Sequence, residues 1–148
     1  MDAEDFDYDD GRTWSATILR VPGVHKTHKI RYRPLSNPAR AVALDASRRM
    51  DADDANVMLC KLLAGQIREW TLRKLVDETW VPMPITWENC LVLKPILQNR
   101  LFAIVLWGNP GDVDPEDPDI VNATPDWGAN MGQAQQLTWV VFLVSFGD

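Results

Sequence analysis

The sequence has few of the residues that enzymes use most often as nucleophiles, bases and metal ligands. It holds two histidines and two cysteines among 148 residues, and its eight glycines are scattered instead of clustered in a phosphate-binding loop. Nucleophilic catalysis needs a base beside a nucleophile, and no Gly-x-Ser-x-Gly stretch indicates such a pair. We therefore expect a non-enzymatic protein without a cofactor. Paired carboxylates have no fixed spacing in a sequence, so a carboxylate-dependent hydrolase stays open as an alternative.

Two patterns in the sequence are similar to metal sites, but neither has the spacing that a metal requires. His25 and His28 lie three residues apart, and on a strand that spacing places them on opposite faces. The acidic run 112–119 is similar to a calcium loop, yet position 6 is Asp117 instead of glycine and position 12 is Ala123 instead of glutamate. The sequence therefore predicts no metal site. We expect the two histidines to be polar surface residues and the acidic run to be a solvated loop.

Long apolar runs and an excess of basic charge are also absent. The formal charge is −6 and the pI about 4.8, which argues against nucleic acid or an anionic membrane surface as the main partner. The longest apolar run, within residues 139–146, is far shorter than the ~20 residues of a membrane span. The first ten residues carry six acids, unlike a signal peptide, so we expect a cytoplasmic protein. Cys60 and Cys90 lie in apolar runs, which predicts two buried thiols.

The sequence does contain enough apolar material for one compact domain. Hydrophobic residues make up 46% of the chain and seven residues are tryptophans, so a chain of this length can bury a substantial core. The pattern predicts a flexible acidic arm over residues 1–12 and a single domain over residues 13–148. We expect that domain to be an α+β fold, mainly helical, with an N-terminal β-hairpin.

Four parts of the domain are predicted from local patterns. Residues 13–33 alternate between apolar and polar types on either side of a Pro-Gly turn, which indicates a β-hairpin with a basic outer face. Residues 37–107 are predicted as a helical body, interrupted by a second hairpin or an extended excursion at 70–85. An acidic, proline-rich loop follows over 108–127. An apolar C-terminal segment over 132–146 fits either a helix or a strand.

Capping residues mark where the helices begin. Ser36 precedes a proline in the first turn of one helix, the acidic stretch at Asp51 offers an N-cap for the next, and Thr86 offers one for a third. Apolar residues spaced by three and four predict the buried face of the first helix, made of Ala39, Val42, Ala43, Ala46 and Met50.

Tryptophans flanked by turns and charges are candidate contacts for a partner, because tryptophan is enriched among the residues that anchor protein interfaces. Three residues fit that description: Trp80, Trp87 and Trp127. The basic outer face of the first hairpin is a second candidate, through Lys29, Arg31 and Arg33. That face fits a carboxylate-rich surface on another protein or the chain's own acidic arm. The second pairing would produce autoinhibition, or self-association by arm exchange.

The chain passes from strand to helix after residues 29–35, from helix to an extended piece within 62–72 and from prolines to helix within 81–89, and these three stretches together resemble the tail assembly chaperones of long-tailed bacteriophages. A strand over residues 29–35 leads into a helix, and a helix within 62–72 runs into an extended piece that contains a tryptophan. In residues 81–89, a proline followed by an Ile-Thr step opens another helix. The resemblance covers about residues 26–108. The family pattern usually has an Asp-and-Gly turn between the tryptophan and the prolines, where this chain has residues 73–79 without a glycine.

The resemblance implies a protein that binds the long helical tape-measure protein, keeps it soluble in the host cytoplasm and helps tail-tube subunits assemble around it. Its partners would be the tape-measure protein or other tail and virion proteins. That work needs an exposed apolar or aromatic surface for amphipathic helices, and net charge for solubility. An alternative is a virion structural protein, such as a minor capsid, cement or head–tail component, ordered by neighbouring subunits.

Overall fold

The computed structural model describes residues 7–113, which form a mixed α/β unit with an N-terminal antiparallel hairpin. The predicted hairpin is confirmed. Helices account for 42% of the described residues and strands for 22%, so the mainly helical character is not confirmed. The difference arises because three short strands interrupt the predicted helical body. Half of the acidic arm (residues 1–6), the greater part of the 108–127 loop and the 132–146 segment lie outside the described residues.

The helices and strands follow one another along the chain with short connections. Their bounds are β1 (Trp14–Ile18), β2 (His28–Tyr32), α1 (Asn37–Arg49), α2 (Ala52–Gln66), β3 (Ile67–Trp70), β4 (Arg73–Val76), β5 (Thr79–Pro82), α3 (Trp87–Leu91) and α4 (Pro95–Leu101), which continues into a π-helical turn (Phe102–Leu106). None of the helices in residues 7–113 has the length and apolar character needed to cross a membrane.

The larger sheet has three antiparallel strands in the order β1-β2-β3. Alternation along the strands places Ile18, Ile30 and Tyr32 on the inner face, where all three are buried, while Lys29 and Arg31 stay exposed on the outer face. The register shifts between Arg31 and Tyr32, where β3 joins the sheet directly from the end of α2. The sequence predicts the first two strands, because their alternation is local, but not the strand that reaches them across more than thirty residues.

The predicted caps are confirmed at all three helices. The side chains of Ser36, Asp51 and Thr86 each accept a hydrogen bond from the backbone N–H three residues later. The predicted face of α1 is wrong in part, since Val42 is 70% exposed and Met50 is 42% exposed. The buried residues of α1 are Ala43 and Ser47. On the same side of the helix, the Arg40 guanidinium donates to the carbonyls of Leu106 and Leu35.

The core is centred on the π-helical turn, in which all five side chains are buried. Leu59 and Leu63 of α2 pack with this turn and with the inner face of the larger sheet. Gly108 ends the turn with a φ of +76°, and a Cβ there would lie 2.9 Å from the Arg40 guanidinium. Glycine is therefore required both by the backbone conformation and by the space that Arg40 occupies.

The smaller sheet is the hairpin of β4 and β5, which confirms the hairpin reading of residues 70–85. Its turn consists of Asp77 and Glu78, whose φ values of 50° and 64° lie in the left-handed region. Two consecutive positive φ values are typical of a type I′ turn, whose twist matches that of the two strands it connects. Glycine usually takes the second position of this turn. Glu78 therefore adopts a conformation that glycine would adopt without strain.

Candidate interaction surface

The β4–β5 hairpin exposes two large apolar side chains beside each other. Leu75 and Trp80 are cross-strand partners, so their side chains lie on one face of the hairpin. Leu75 is 55% exposed and Trp80 is 62% exposed, and Val76 on the opposite face is 42% exposed. Within residues 7–113, β4 and β5 pack mainly against each other and not against a helix. We call the surface of Leu75 and Trp80 the hairpin face.

The base of this hairpin is fixed to the body. The indole N–H of Trp70 donates to the carbonyl of Met83 at 2.6 Å, and the Met83 N–H donates to the carbonyl of Leu72 at 3.0 Å. Leu72 itself is buried in the core. The hairpin face is therefore attached to a fixed base, and less conformational entropy is lost when a partner binds to it.

Of the three predicted tryptophan contacts, the structure places Trp80 on the hairpin face. Trp87 is partly buried at the start of α3, where it packs against the core and Lys61 Nζ lies 5.1 Å from its ring centroid. Trp127 lies outside the described residues. The sequence analysis missed Leu75. Counting outward from a two-residue turn at 77–78 pairs residue 75 with residue 80, and that signal could have found it.

The predicted basic residues lie in one row on the outer face of β2 and its continuation, and all three are exposed. Arg31 forms an ion pair with Glu69 at 2.6 Å, and both side chains are well exposed, so the pair contributes little to stability. An open concavity of about 730 Å³ lies over this face, and its lining includes Lys29, Thr17 and Thr71. Arg33 lies at the end of the row.

The acidic arm enters the domain beside this basic row. A Cβ on Gly11 would lie 3.7 Å from the Arg33 guanidinium. Within the arm, Asp10 pairs with Arg12 at 2.7 Å. The arm is thus close to Arg33 at Gly11. Binding of the rest of the acidic arm to the basic row stays a prediction.

The free edge of β1 is covered by the chain that follows Gly108. The Asp112 N–H donates to the Thr17 carbonyl at 2.7 Å, and its carboxylate accepts from the Leu19 N–H at 2.9 Å and from Arg100 at 2.9 Å. A Cβ on Gly111 would lie 2.9 Å from the Cβ of Ala16, so only glycine allows this approach. The prediction of a solvated loop is therefore wrong at Asp112, which closes a sheet edge.

The predicted separation of the two histidines is also wrong, because their ring centroids lie 5.8 Å apart. His25 belongs to the turn before β2, so strand alternation does not apply to it. Burial lowers the pKa of His28, and the nearby His25 and Arg73 lower it further. No cluster of three or more potential metal ligands occurs in the part of the chain that the structure describes.

Both cysteines are free and buried, as the sequence predicts. The Gln98 amide donates to the carbonyl of Cys90 at 2.9 Å and lies 3.6 Å from the Cys60 sulfur, which links α2, α3 and α4 inside the core. Burial raises the pKa of Cys60 to about 11 and that of Cys90 to about 12. Both groups are therefore neutral thiols at pH 7, the form that is least reactive as a nucleophile.

No family model, curated protein or solved structure matches the chain. Function is therefore inferred from the surfaces described above. The basic row is polar and partly paired, whereas the hairpin face joins two large apolar side chains on an anchored element. The hairpin face is the stronger candidate for binding another protein.

Proposed function

We propose that this protein is a non-enzymatic assembly factor that binds a helical protein through its hairpin face, and that its partner is the tape-measure protein of a long-tailed bacteriophage. The observation that carries the proposal is the exposure of Leu75 and Trp80 as a cross-strand pair. Buried large apolar residues would stabilise the fold, but these two leave most of their surface in solvent. Their use is therefore in association.

The chemistry of the hairpin face suits an amphipathic helix. A tryptophan beside a leucine offers one rigid aromatic anchor and one aliphatic neighbour, and a helix presents apolar residues at spacings of three and four on a single stripe. The net charge of −6 keeps a protein with such a face soluble. A chaperone for a long helical protein needs these two properties together.

Local structure in the segments that resemble the tail assembly chaperones supports the same proposal. β2 leads into α1, α2 runs directly into β3 with Trp70 at its end, and Thr86 caps α3 after the prolines. Each of these steps has the order of helix and strand that the resemblance implies. The hairpin face lies in the middle of this region.

Co-purification from cells that express the chain together with the tape-measure protein encoded near it tests the proposal. The wild-type protein is expected to retain the tape-measure protein on an affinity column, and Trp80→Ala is expected to lose most of it. Trp14→Ala is the matched control, because Trp14 is a 42% exposed tryptophan that belongs to β1 of the larger sheet. Equal retention by all three proteins would contradict the proposed role of the hairpin face.

Mass spectrometry of purified particles separates the chaperone from a virion structural protein. A chaperone is absent from particles and present with the tape-measure protein in the lysate. A constant number of copies in each particle would assign the protein to the virion and overturn the chaperone role. Absence from both fractions would overturn the bacteriophage assignment itself.

A further inference from the structure

The two edges of the β4–β5 hairpin differ in their capacity to pair with another strand. Backbone groups point alternately to the partner strand and to the outer edge. The Met83 N–H donates to the carbonyl of Leu72, the residue before β4. The backbone groups of the even-numbered residues in β4 therefore point toward β5. The amides and carbonyls of Arg73 and Leu75 therefore point outward. No other strand lies on that edge in residues 7–113.

Proline blocks the opposite edge of the hairpin. The residues of β5 that point outward are the partners of Arg73 and Leu75, which are Pro82 and Trp80. Pro82 has no N–H to donate, and proline at such a position is a common protection of an edge strand. The edge of β4 contains no proline, so its outward N–H groups at Arg73 and Leu75 are the ones in this hairpin that can accept a further strand.

The charges along β4 and its turn are arranged to match a second copy running in the opposite direction. Arg73 and Lys74 are followed by the apolar pair Leu75 and Val76, and then by the acids of the turn. Reversing this order exchanges the basic end for the acidic end. An antiparallel contact between two copies therefore brings each basic end beside the other copy's acidic turn.

We propose that two copies of this chain associate through the outer edge of β4, antiparallel and related by a twofold axis at Leu75. The alternation of backbone groups permits this register. The N–H and C=O groups of Leu75 point outward in both copies, so each Leu75 can exchange hydrogen bonds with Leu75 of the second copy. Arg73 of each copy then lies beside the turn of the other copy, where Asp77 carries the opposite charge, and this complementarity favours the antiparallel register. Lys74 lies diagonal to the second copy's Glu78.

This pairing joins the two hairpins into a four-stranded antiparallel sheet. On one face, the cross-strand partners Trp80 and Leu75 of one copy continue into Leu75 and Trp80 of the other. With neighbouring strands about 4.8 Å apart, this apolar row spans about 15 Å across the sheet. The association does not depend on the tape-measure partner, and it gives any helical partner a wider apolar platform than one hairpin offers.

Sedimentation equilibrium of the purified full chain alone tests the association. We expect the weight-average mass to rise from monomer to dimer over protein concentrations of about 1 µM to 1 mM, the range in which small interfaces associate. A monomer throughout that range would overturn the proposal. This outcome is distinct from a failure of the proposed function, which is read from retention of the tape-measure protein.

Two charge reversals test the register. Arg73→Glu places an acid beside Asp77 of the second copy, and Asp77→Lys places a base beside Arg73. Each variant alone is expected to associate at least about tenfold more weakly than the wild type, since two pairs per dimer change from attraction to repulsion. An equal mixture of the two variants is expected to regain most of the wild-type association, because the mixed dimer restores opposite charges at both positions.

Circular dichroism and thermal melting show whether each variant keeps the wild-type fold, and either variant is sufficient to test the weakening. If both associate as strongly as the wild type, the contact lies elsewhere and the proposal is wrong. If both are weakened but their mixture gains nothing, the antiparallel register is wrong. Restored association in the mixture is the result that a different surface would not produce.

Discussion

The two sheets of this structure place their apolar residues differently. The three-stranded sheet buries Ile18, Ile30 and Tyr32 against the helices, and each is less than 5% exposed. The β4–β5 hairpin leaves Leu75 and Trp80 more than half exposed. The larger sheet uses its apolar residues to stabilise the fold, whereas the smaller sheet leaves an exposed apolar surface that we propose binds another protein.

The largest effect is expected in the packed region. Leu63 of α2 is fully buried in the core cluster, so Leu63→Ala leaves a cavity and is expected to lower the free energy of unfolding by about 2–5 kcal/mol. Urea unfolding followed by tryptophan fluorescence measures this loss. A loss below about 1 kcal/mol would mean that the site collapses around the smaller side chain and that the core is less tightly packed than described.

A smaller loss is expected where the chain closes the β1 edge. Gly111→Ala places a methyl group 2.9 Å from the Cβ of Ala16, so the segment must move and weaken the Asp112 contacts. We expect a loss of about 1–3 kcal/mol. Gly65→Ala is the matched control, since no atom lies within 4 Å of its Cβ, and alanine inside a helix is expected to stabilise by about 0.5–1 kcal/mol. Equal effects of the two substitutions would contradict the close approach.

The features that the sequence predicts correctly are local ones. The caps at Ser36, Asp51 and Thr86 depend on a side chain and an N–H three residues away, so they can be recognised without knowledge of the tertiary fold. The alternation of the first hairpin is local in the same sense. The exposure of Trp80 could be expected in the same way, because the turn and charges that flank it are visible in the sequence, and its role in binding stays a prediction.

The failures involve contacts between residues far apart in the chain. Asp112 binds the backbone at Leu19 across ninety-three positions, and no pattern near either residue indicates this contact. On the buried side of α1, Arg40 donates to the Leu106 carbonyl across sixty-six positions. A long basic side chain at an inward position contradicts the simple apolar pattern, and tertiary hydrogen bonds decide the orientation.

A gain in stability, smaller than these losses, is expected at the hairpin turn. Glu78→Gly removes the strain of a left-handed conformation, of about 1–2 kcal/mol, but increases the entropy of the unfolded chain. We expect a net gain of less than about 1 kcal/mol, measured by thermal unfolding. Glu78→Ala keeps the strain and removes the charge. If Ala stabilises as much as Gly, the effect comes from charge and not from the backbone.

The pH dependence at His28 is expected to be smaller still. Burial, and then His25 and Arg73, lower its pKa in the folded protein below the ordinary 6.5, so the unfolded chain binds more protons as the pH falls. The contribution of His28 is therefore present above pH 6.5 and is lost as the pH falls below that value. Between pH 7 and pH 5, the wild type is expected to lose more unfolding free energy than His28→Gln. Equal losses would contradict this assignment.

The most direct test of the difference between the two sheets is the unfolding free energy of a Leu75→Ser/Trp80→Ser double variant, measured by urea unfolding at a concentration where the protein is monomeric. Because both side chains are mostly exposed and a cross-strand pair contributes about 0.2–1 kcal/mol, we expect a loss of less than about 1 kcal/mol relative to the wild type. That result would leave binding as the use of the hairpin face. A loss of about 2 kcal/mol or more would show that the two side chains are packed in the folded protein, and it would contradict the assignment of the hairpin as a binding surface.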